Sequence, residues 1–171
     1  MPTKRTNVRQ WIDQVNQQHW HTPDTEDIDN HHLQYVFTYG TLKKGFHNSG
    51  FLKDALFVSE CVTVGGEYRL FDSGSGFPVA TFNEEGVKRA TEAHIHGELY
   101  LCSPEDIVRM DSLESNGYMY NRELHNVSNP EIQEEFLAWM YIGNPEYWAN
   151  RCGRMELLPQ NEQYGVYRWE K

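Results

Sequence analysis

Short runs of β-forming residues, separated by turn residues, make up most of the chain after residue 33 and limit the folds it can adopt. The first run, residues 35–39, stops abruptly at Gly40. By composition and alternation, strands are predicted at residues 33–38, 57–64, 67–71, 79–82, 93–101, 120–127 and 136–142. The last two form a predicted hairpin across Asn129-Pro130. Many short strands with one or two helices favour an α+β fold with a partly closed sheet.

One helix is predicted between these strands, over residues 104–113. Ser103 stands at the N-cap position and Pro104 at the first helical position, which are favourable sites for both residue types. Three apolar side chains at helical spacing form its expected buried face: Ile107, Met110 and Leu113. A shorter helical piece is predicted from Phe51-Leu52 and Ala55-Leu56-Phe57, just before the second strand.

Residues 1–34 differ from the rest of the chain. Val8, Trp11, Ile12 and Val15 follow helical spacing and predict a short amphipathic helix over residues 7–20. Residues 21–30 are polar and acidic and contain a proline, which is typical of a linker. The sequence therefore predicts an N-terminal arm, residues 1–34, and a domain, residues 35–171. The arm has three interpretations: it packs on its own domain, contacts a second copy or partner, or frays.

The charge and the cysteine count narrow the functional class. With 25 acidic against 15 basic residues, the net charge is −10, which argues against sequence-independent binding to nucleic acid or to an anionic membrane. We expect the partner to be a small molecule. Three widely spaced cysteines without a C-x-x-C motif predict reduced thiols. No apolar segment typical of a signal peptide or membrane span is present, so we expect a cytoplasmic protein.

Two elements carry the chemical argument. A strand that ends in a glycine turn can direct several backbone N–H groups at one point, which suits an oxyanion or a carboxylate. Gly40 either permits an unusual backbone angle or lets a ligand approach closely. A single carboxylate opposite the turn is what proton transfer from an amine requires, and Glu114 is the candidate.

The motifs around these residues resemble the γ-glutamylcyclotransferase-like superfamily, in particular its AIG2-like and γ-glutamylamine cyclotransferase branch. The resemblance covers roughly residues 35–142, and its first motif is Tyr39, Gly40, Thr41, Leu42 and Lys43. The matching residues that follow in the same order are Asn48, Leu52, Phe77-Pro78, Gly97-Glu98-Leu99-Tyr100, Asp111-x-Leu113-Glu114, Tyr120-x-Arg122 and Ala138-Trp139-Met140-Tyr141.

The resemblance implies a small, mixed β-barrel-like sheet with a few short helices and a cavity. It also implies release of 5-oxoproline from a γ-glutamyl compound without a metal or organic cofactor. Glu114 aligns with the family's catalytic carboxylate, and residues 39–42 align with its substrate-binding loop. Tyr120 is expected to contact substrate or Glu114, and Glu98 and Arg122 are expected to support the pocket.

Each of these residues also has a structural interpretation. Glu114 ends a helix, where a glutamate is ordinarily solvated. Tyr120 could simply pack in a strand, and Arg122 could form a salt bridge with Asp111 or Glu114. Lys43 and Lys44 are expected to be solvated.

A metal site is a weaker alternative. His94, His96 and Glu98 alternate along one strand face, but strand spacing puts them in a row rather than around a point. We therefore predict no metal site.

The chain departs from the family pattern at Gly117, where relatives commonly have a proline, and in its N-terminal extension. These departures leave a second hypothesis open, in which the fold is a non-catalytic module that binds a small ligand or a protein. Retention of Glu114 within its motif favours the enzyme.

Overall fold

A computed structural model describes residues 33–83, 93–151, 156–157 and 166–170 of the chain. The strands are β1 Gln34–Thr38, β2 Leu56–Thr63, β3 Glu67–Asp72, β4 Pro78–Asn83, β5 His94–Cys102, β6 Tyr120–Asn129, β7 Glu134–Gly143, β8 Glu156–Leu157 and β9 Val166–Tyr167. The helices are a 3-10 helix Ser49–Leu52, α1 Pro104–Leu113 and the single turn α2 Pro145–Trp148. The predicted arm helix and linker lie outside the described residues.

Five strands close into a barrel. Their order is β1-β7-β6-β2-β5, and β5 pairs in turn with β1. β1 runs parallel to β7, while the other pairs in the ring are antiparallel. Closure leaves no free edge in the ring. The predicted small, mixed barrel-like sheet with a few short helices is therefore confirmed.

A second sheet, ordered β4-β3-β8, packs beside the barrel. It approaches β7 closely at Gly143, where a Cβ atom would lie 2.5 Å from Val79 Cγ1. This contact holds the start of β4, and with it Pro78, beside the end of β1. The short second sheet therefore supplies one wall of the cleft described below.

The two faces of strands β1, β5, β6 and β7 pack into separate cores. On one face, Phe37, Leu99 and Met140 belong to a cluster that fills the barrel. On the other face, Val36 and Tyr141 pack with Ile107 and Met110 of α1. The alternation predicted for the strands thus separates an interior core from a second core beneath the helix.

Helix α1 begins where the sequence predicts. Ser103 Oγ accepts a hydrogen bond from the Asp106 N–H at 3.2 Å, and Asp106 Oδ2 accepts one from the Ser103 N–H at 3.0 Å. This reciprocal capping box satisfies backbone donors that the first turn otherwise leaves unpaired. Pro104 follows at the first helical position. Ile107 and Met110 are buried as predicted, and Leu113 is partly buried.

One local expectation needs correction. The predicted helical piece is present at Phe51-Leu52, within the 3-10 helix, but residues 55–57 are not helical, because β2 begins at Leu56, which pairs with Leu101 of β5. The long strand pairing outweighs local helix propensity there. The predicted hairpin of β6 and β7 is confirmed: β6 ends at Asn129, the turn occupies residues 130–133, and Gln133 adopts a positive φ of 53°. Within the described ranges, no helix is long and apolar enough to span a membrane.

Candidate active site

A small cleft, open to solvent, lies at the end of β1. The second sheet, the end of α1 and strands β6 and β7 complete its walls. Its lining residues are Phe37, Thr38, Tyr39, Gly40, Thr41, Leu42, Phe77, Pro78, Glu114, Tyr120 and Tyr141. The cleft therefore brings together the predicted loop, the predicted carboxylate and Tyr120, which are up to 81 positions apart in the chain.

The loop after β1 is a tight turn with unused donors. The Lys43 N–H donates to the Gly40 carbonyl at 3.1 Å, and Asn48 Nδ2 donates to Thr41 Oγ1 at 3.0 Å. In the part of the chain that the structure describes, the N–H groups of Gly40, Thr41 and Leu42 have no hydrogen-bond acceptor. Three consecutive unpaired donors beside a cleft can bind an anionic or carbonyl oxygen.

Gly40 is required by packing. A Cβ atom there would lie 2.8 Å from Pro78 Cγ and 3.0 Å from Pro78 Cδ, closer than real Cβ contacts allow. The φ of Gly40 is not in the left-handed region, so an unusual backbone angle is not the reason for the glycine. Its small size lets the loop and the second sheet meet at the cleft.

The far side of the loop is held by Glu98 and Lys43. Glu98 Oε2 accepts from the Lys44 N–H at 2.9 Å and from the Tyr100 hydroxyl at 2.8 Å. Lys43 is buried, not solvated as expected: its Nζ donates to the Trp169 carbonyl oxygen at 2.7 Å. Lys44 is exposed. The side chains of Glu98 and Lys43 thus brace the loop from outside the cleft.

Glu114 is positioned by the way α1 ends. It is the C-cap residue, and the next residue, Ser115, takes a left-handed φ of 50°. The Ser115 N–H donates to the Ser112 carbonyl at 3.3 Å, and the Asn116 N–H donates to the Asp111 carbonyl at 2.9 Å. These two bonds define a Schellman motif, which ends the helix with a fixed turn. Glu114 therefore faces the cleft from a rigid element.

The Glu114 carboxylate is poorly solvated. The side chain is partly buried, and desolvation raises its pKa from 4.5 to about 7. No group among the described residues forms a hydrogen bond or ion pair with this carboxylate. A carboxyl group with these properties exchanges a proton readily near neutral pH.

The tyrosine hydroxyls of the cleft are engaged in the framework. Tyr39 Oη donates to the Tyr141 carbonyl at 2.5 Å, and Tyr120 Oη donates to the Pro78 carbonyl at 2.9 Å. Tyr141 Oη donates to Asp111 Oδ1 at 2.7 Å. Burial raises the pKa of all three phenols. Tyr39 and Tyr120 line the cleft with their rings, while their hydroxyls hold its walls together.

Arg122 forms a salt bridge with Asp111, as its structural interpretation predicts. Its Nε lies 3.0 Å from Asp111 Oδ1, and its guanidinium stacks on the Trp139 ring with 4.4 Å to the ring centroid. It does not line the cleft. Because Asp111 also accepts from Tyr141, Arg122 supports the wall of the cleft from behind.

Sequence reasoning did not single out Tyr141 or Thr38 as site residues. Tyr141 appeared only within a matched strand motif, although its alternation with Met140 would have placed it on the helix-covered face. Thr38 precedes the loop, and its buried Oγ1 has no hydrogen-bond partner among the described residues. For both residues, the alternation of side chains along the strand is the sequence signal that could have identified them.

The three residues considered for a metal site do not converge. His94 Nδ1 lies 2.6 Å from the Thr63 carbonyl oxygen, and His96 Nε2 lies 3.9 Å from Glu60 Oε2. Glu98 binds the loop instead. Across residues 33–83, 93–151 and the two short C-terminal stretches, no group of three His, Cys, Asp or Glu side chains could hold a metal ion.

The closed five-stranded barrel with a few short helices places the chain in the class of γ-glutamylcyclotransferase-like folds. The family model described as γ-glutamyl cyclotransferase, AIG2-like, matches residues 36–165. The chain belongs to this family.

Individual relatives agree with the family match. The chain is 29% identical over 140 residues to a candidate γ-glutamylcyclotransferase of Methanocaldococcus jannaschii, covering 80% of this chain and 99% of the relative. It is 30% identical over 113 residues to the γ-L-glutamyl-butirosin B γ-glutamyl cyclotransferase of Niallia circulans, covering 64% and 66%. An AIG2-like protein of Mus musculus has a crystal structure with a TM-score of 0.58 at 25% identity, covering 68% of this chain and 83% of that chain.

Proposed function

We propose that the protein releases 5-oxoproline from a γ-glutamyl amine or amide by intramolecular aminolysis, with Glu114 as general base and then general acid. The observation that carries this proposal is the pairing of an unpaired carboxylate, whose pKa is about 7, with the unpaired N–H groups of Gly40, Thr41 and Leu42 across one cleft.

The reaction moves two protons and exchanges one bond. The α-ammonium group of the substrate gives a proton to the Glu114 carboxylate, and the freed amine attacks the substrate's own γ-carbonyl carbon. A new C–N bond closes the five-membered lactam, and the bond to the leaving amine breaks. Glu114 passes the first proton to the leaving nitrogen as that bond breaks. It then takes the second proton from the new ring nitrogen and passes it to the departing amine, which leaves as an ammonium ion while Glu114 returns to the carboxylate form.

The site supplies the two remaining requirements. Negative charge develops on the carbonyl oxygen as the ring closes, and fixed backbone N–H groups stabilise such charge without reorganisation. Ring closure is intramolecular, so holding the γ-glutamyl group in a compact conformation supplies much of the rate. Neither step requires a metal or an organic cofactor.

The γ-glutamyl chemistry does not define which amine is the leaving group. The relative from Niallia circulans is named for γ-L-glutamyl-butirosin B. Support for an amine leaving group here is the opening of the cleft to solvent, which leaves room for substituents beyond the γ-glutamyl group.

The proposal is tested by incubating the full-length protein with a panel of γ-glutamyl amines and γ-glutamyl amino acids and measuring 5-oxoproline by mass spectrometry. We expect turnover of at least one compound and a loss of about 10²-fold or more in Glu114→Gln, the scale of a general base. Glu105→Gln is the matched control, because Glu105 is exposed on the same helix.

Two results would overturn the proposal. Equal rates for Glu114→Gln and the native protein would remove Glu114 from the mechanism. Binding of a γ-glutamyl compound without any 5-oxoproline would favour the non-catalytic binding module instead.

We also infer that the protein works in the cytoplasm. Cys61 and Cys102 are buried, unpaired thiols, and burial raises the pKa of Cys61 to about 11. Unpaired, unreactive thiols are typical of a reducing compartment. Fractionation of the source cells, with detection by antibody, tests this inference.

A further inference from the structure

An apolar strip with two exposed leucines lies on the outer face of the β6–β7 hairpin. It consists of Leu124, Leu137 and Trp139. Leu124 pairs directly with Trp139, and Leu137 is its diagonal neighbour on the same face. Leu124 is 48% exposed and Leu137 is 56% exposed. We call these three residues the outer strip.

The outer strip continues an established core. Trp139 packs against the cluster beneath α1, next to the buried Tyr141 on the same strand face. Helix α1 packs over Tyr141 but does not cover Leu137 and Leu124, which are exposed among the described residues. An apolar surface that extends a core past its covering helix is suited to a further packed element.

The chain enters the structure beside the outer strip. Gln34, the first residue of β1, accepts a hydrogen bond at its Oε1 from Trp139 Nε1. Val36 lies opposite Trp139 in the parallel β1–β7 pair, so residues 33 and 34 lie toward Leu137. The segment that precedes residue 33 therefore starts next to the uncovered leucines.

The sequence of that segment is suited to packing on the outer strip. Val8, Trp11, Ile12 and Val15 follow helical spacing, so a helix would place them on one face. The twelve residues 21–32 can span up to about 40 Å. Residues 1–20 contain three basic residues and one acidic residue in a chain of net charge −10. On the domain, the exposed Glu135 lies on the same face of β7 as Leu137.

We propose that residues 7–20 of the same chain dock on the outer strip, with Trp11 and its apolar neighbours covering Leu124 and Leu137. The arm then completes the second core by extending the cover that α1 provides. The connection is intramolecular, so docking costs only the small loss of conformational entropy on closing a short linker.

Disulfide trapping in the full-length chain tests this proposal. Trp11→Cys and Leu137→Cys are combined in a Cys152→Ser background, since the other two native cysteines are buried. The control combines Leu137→Cys with Gln10→Cys, which has nearly the same tether length but lies on the opposite helical face. Leu137 is exposed, so its replacement leaves no internal cavity, and circular dichroism checks that each variant folds.

We expect the 11–137 pair to form a disulfide within the monomer about fivefold or more faster than the 10–137 pair. Equal rates for the two pairs would overturn the proposal, because the arm would then have no preferred face toward the strip. Concentration-dependent dimers linked through 11–137 would also overturn it and would assign the strip to a second copy. No cross-link in either variant would overturn the proposal if Val15→Cys with Glu135→Cys, which keeps Trp11 and both leucines, also fails to cross-link.

Discussion

The Tyr39 hydroxyl donates a hydrogen bond to the Tyr141 carbonyl oxygen at 2.5 Å, tying the start of the loop of residues 39–42 to strand β7. The same hydroxyl lies 3.4 Å from the Ala80 N–H, which donates to it from the second sheet. Tyr39 is buried, with 6% of its surface exposed. One side chain thus joins the loop, the barrel and the second sheet at the point where the cleft opens.

Removal of that hydroxyl should weaken the whole domain. We expect Tyr39→Phe to lower the free energy of unfolding by about 1–3 kcal/mol, because a buried hydrogen-bonded group loses its partner. Urea unfolding followed by tryptophan fluorescence measures the change. Tyr118→Phe is the control, since Tyr118 is 65% exposed and should change stability by less than about 0.5 kcal/mol. Equal losses in the two variants would contradict the framework role of Tyr39.

Gly40 should not tolerate a methyl group. We expect Gly40→Ala to push the Pro78 ring away, because the new Cβ would lie 2.8 Å from Pro78 Cγ, and to cost roughly 1–3 kcal/mol of stability. The cleft wall moves with Pro78, so kcat/KM should fall as well. Gly50→Ala is the matched control, because nothing lies within 4 Å of its added Cβ. Similar stability of the two variants in thermal melts would show that the contact is relieved without cost.

The raised pKa of Glu114 predicts the pH dependence of activity. General-base catalysis requires the ionised carboxylate, so kcat/KM should rise with pH and level off above an apparent pKa of about 7. The measurement is the initial rate of 5-oxoproline release between pH 5 and about 9. A plateau that begins near pH 4.5 would show that the carboxylate is not desolvated in the working enzyme.

The same shift predicts a pH dependence of stability. The folded pKa of about 7 exceeds the 4.5 of an unperturbed glutamate, so folding favours the protonated form. The favourable contribution is complete below pH 4.5 and is lost as the pH rises through 7. Glu114→Gln cannot ionise, so relative to the native protein it should gain on the order of 2–3 kcal/mol across this interval. Urea unfolding at several pH values checks the trend, and a constant difference would contradict it.

The turn after Glu114 offers a stabilising substitution. Ser115 holds a φ of 50° at the position where the Schellman motif favours glycine. We expect Ser115→Gly to raise stability by roughly 0.5–1 kcal/mol, because it relieves the left-handed backbone strain. Gly117→Ala should do the reverse, since Gly117 has a φ of 87°. Thermal melts of both variants provide the comparison, and a less stable Ser115→Gly would show that the serine side chain contributes more than the strain costs.

Features that depend on local sequence could be predicted. The strand alternation, the N-cap at Ser103 and the glycine that ends β1 each follow from a residue and its near neighbours. The fold class followed from many such signals in order. The start of β2 at Leu56 could not be predicted, because its pairing with Leu101 involves a residue 45 positions away.

The features of the candidate site also separate into those that follow from local sequence and those that depend on contacts between distant residues. The sequence by itself determined the fold class, the loop of residues 39–42 and the presence of a glutamate at the end of α1. Only the tertiary structure decided that Glu114 is desolvated with a pKa of about 7, that the Tyr39 and Tyr120 hydroxyls bind the framework, and that Lys43 is buried against Trp169. Hydrogen-bond partners and desolvation depend on atoms brought together from distant parts of the chain, and no local pattern encodes them.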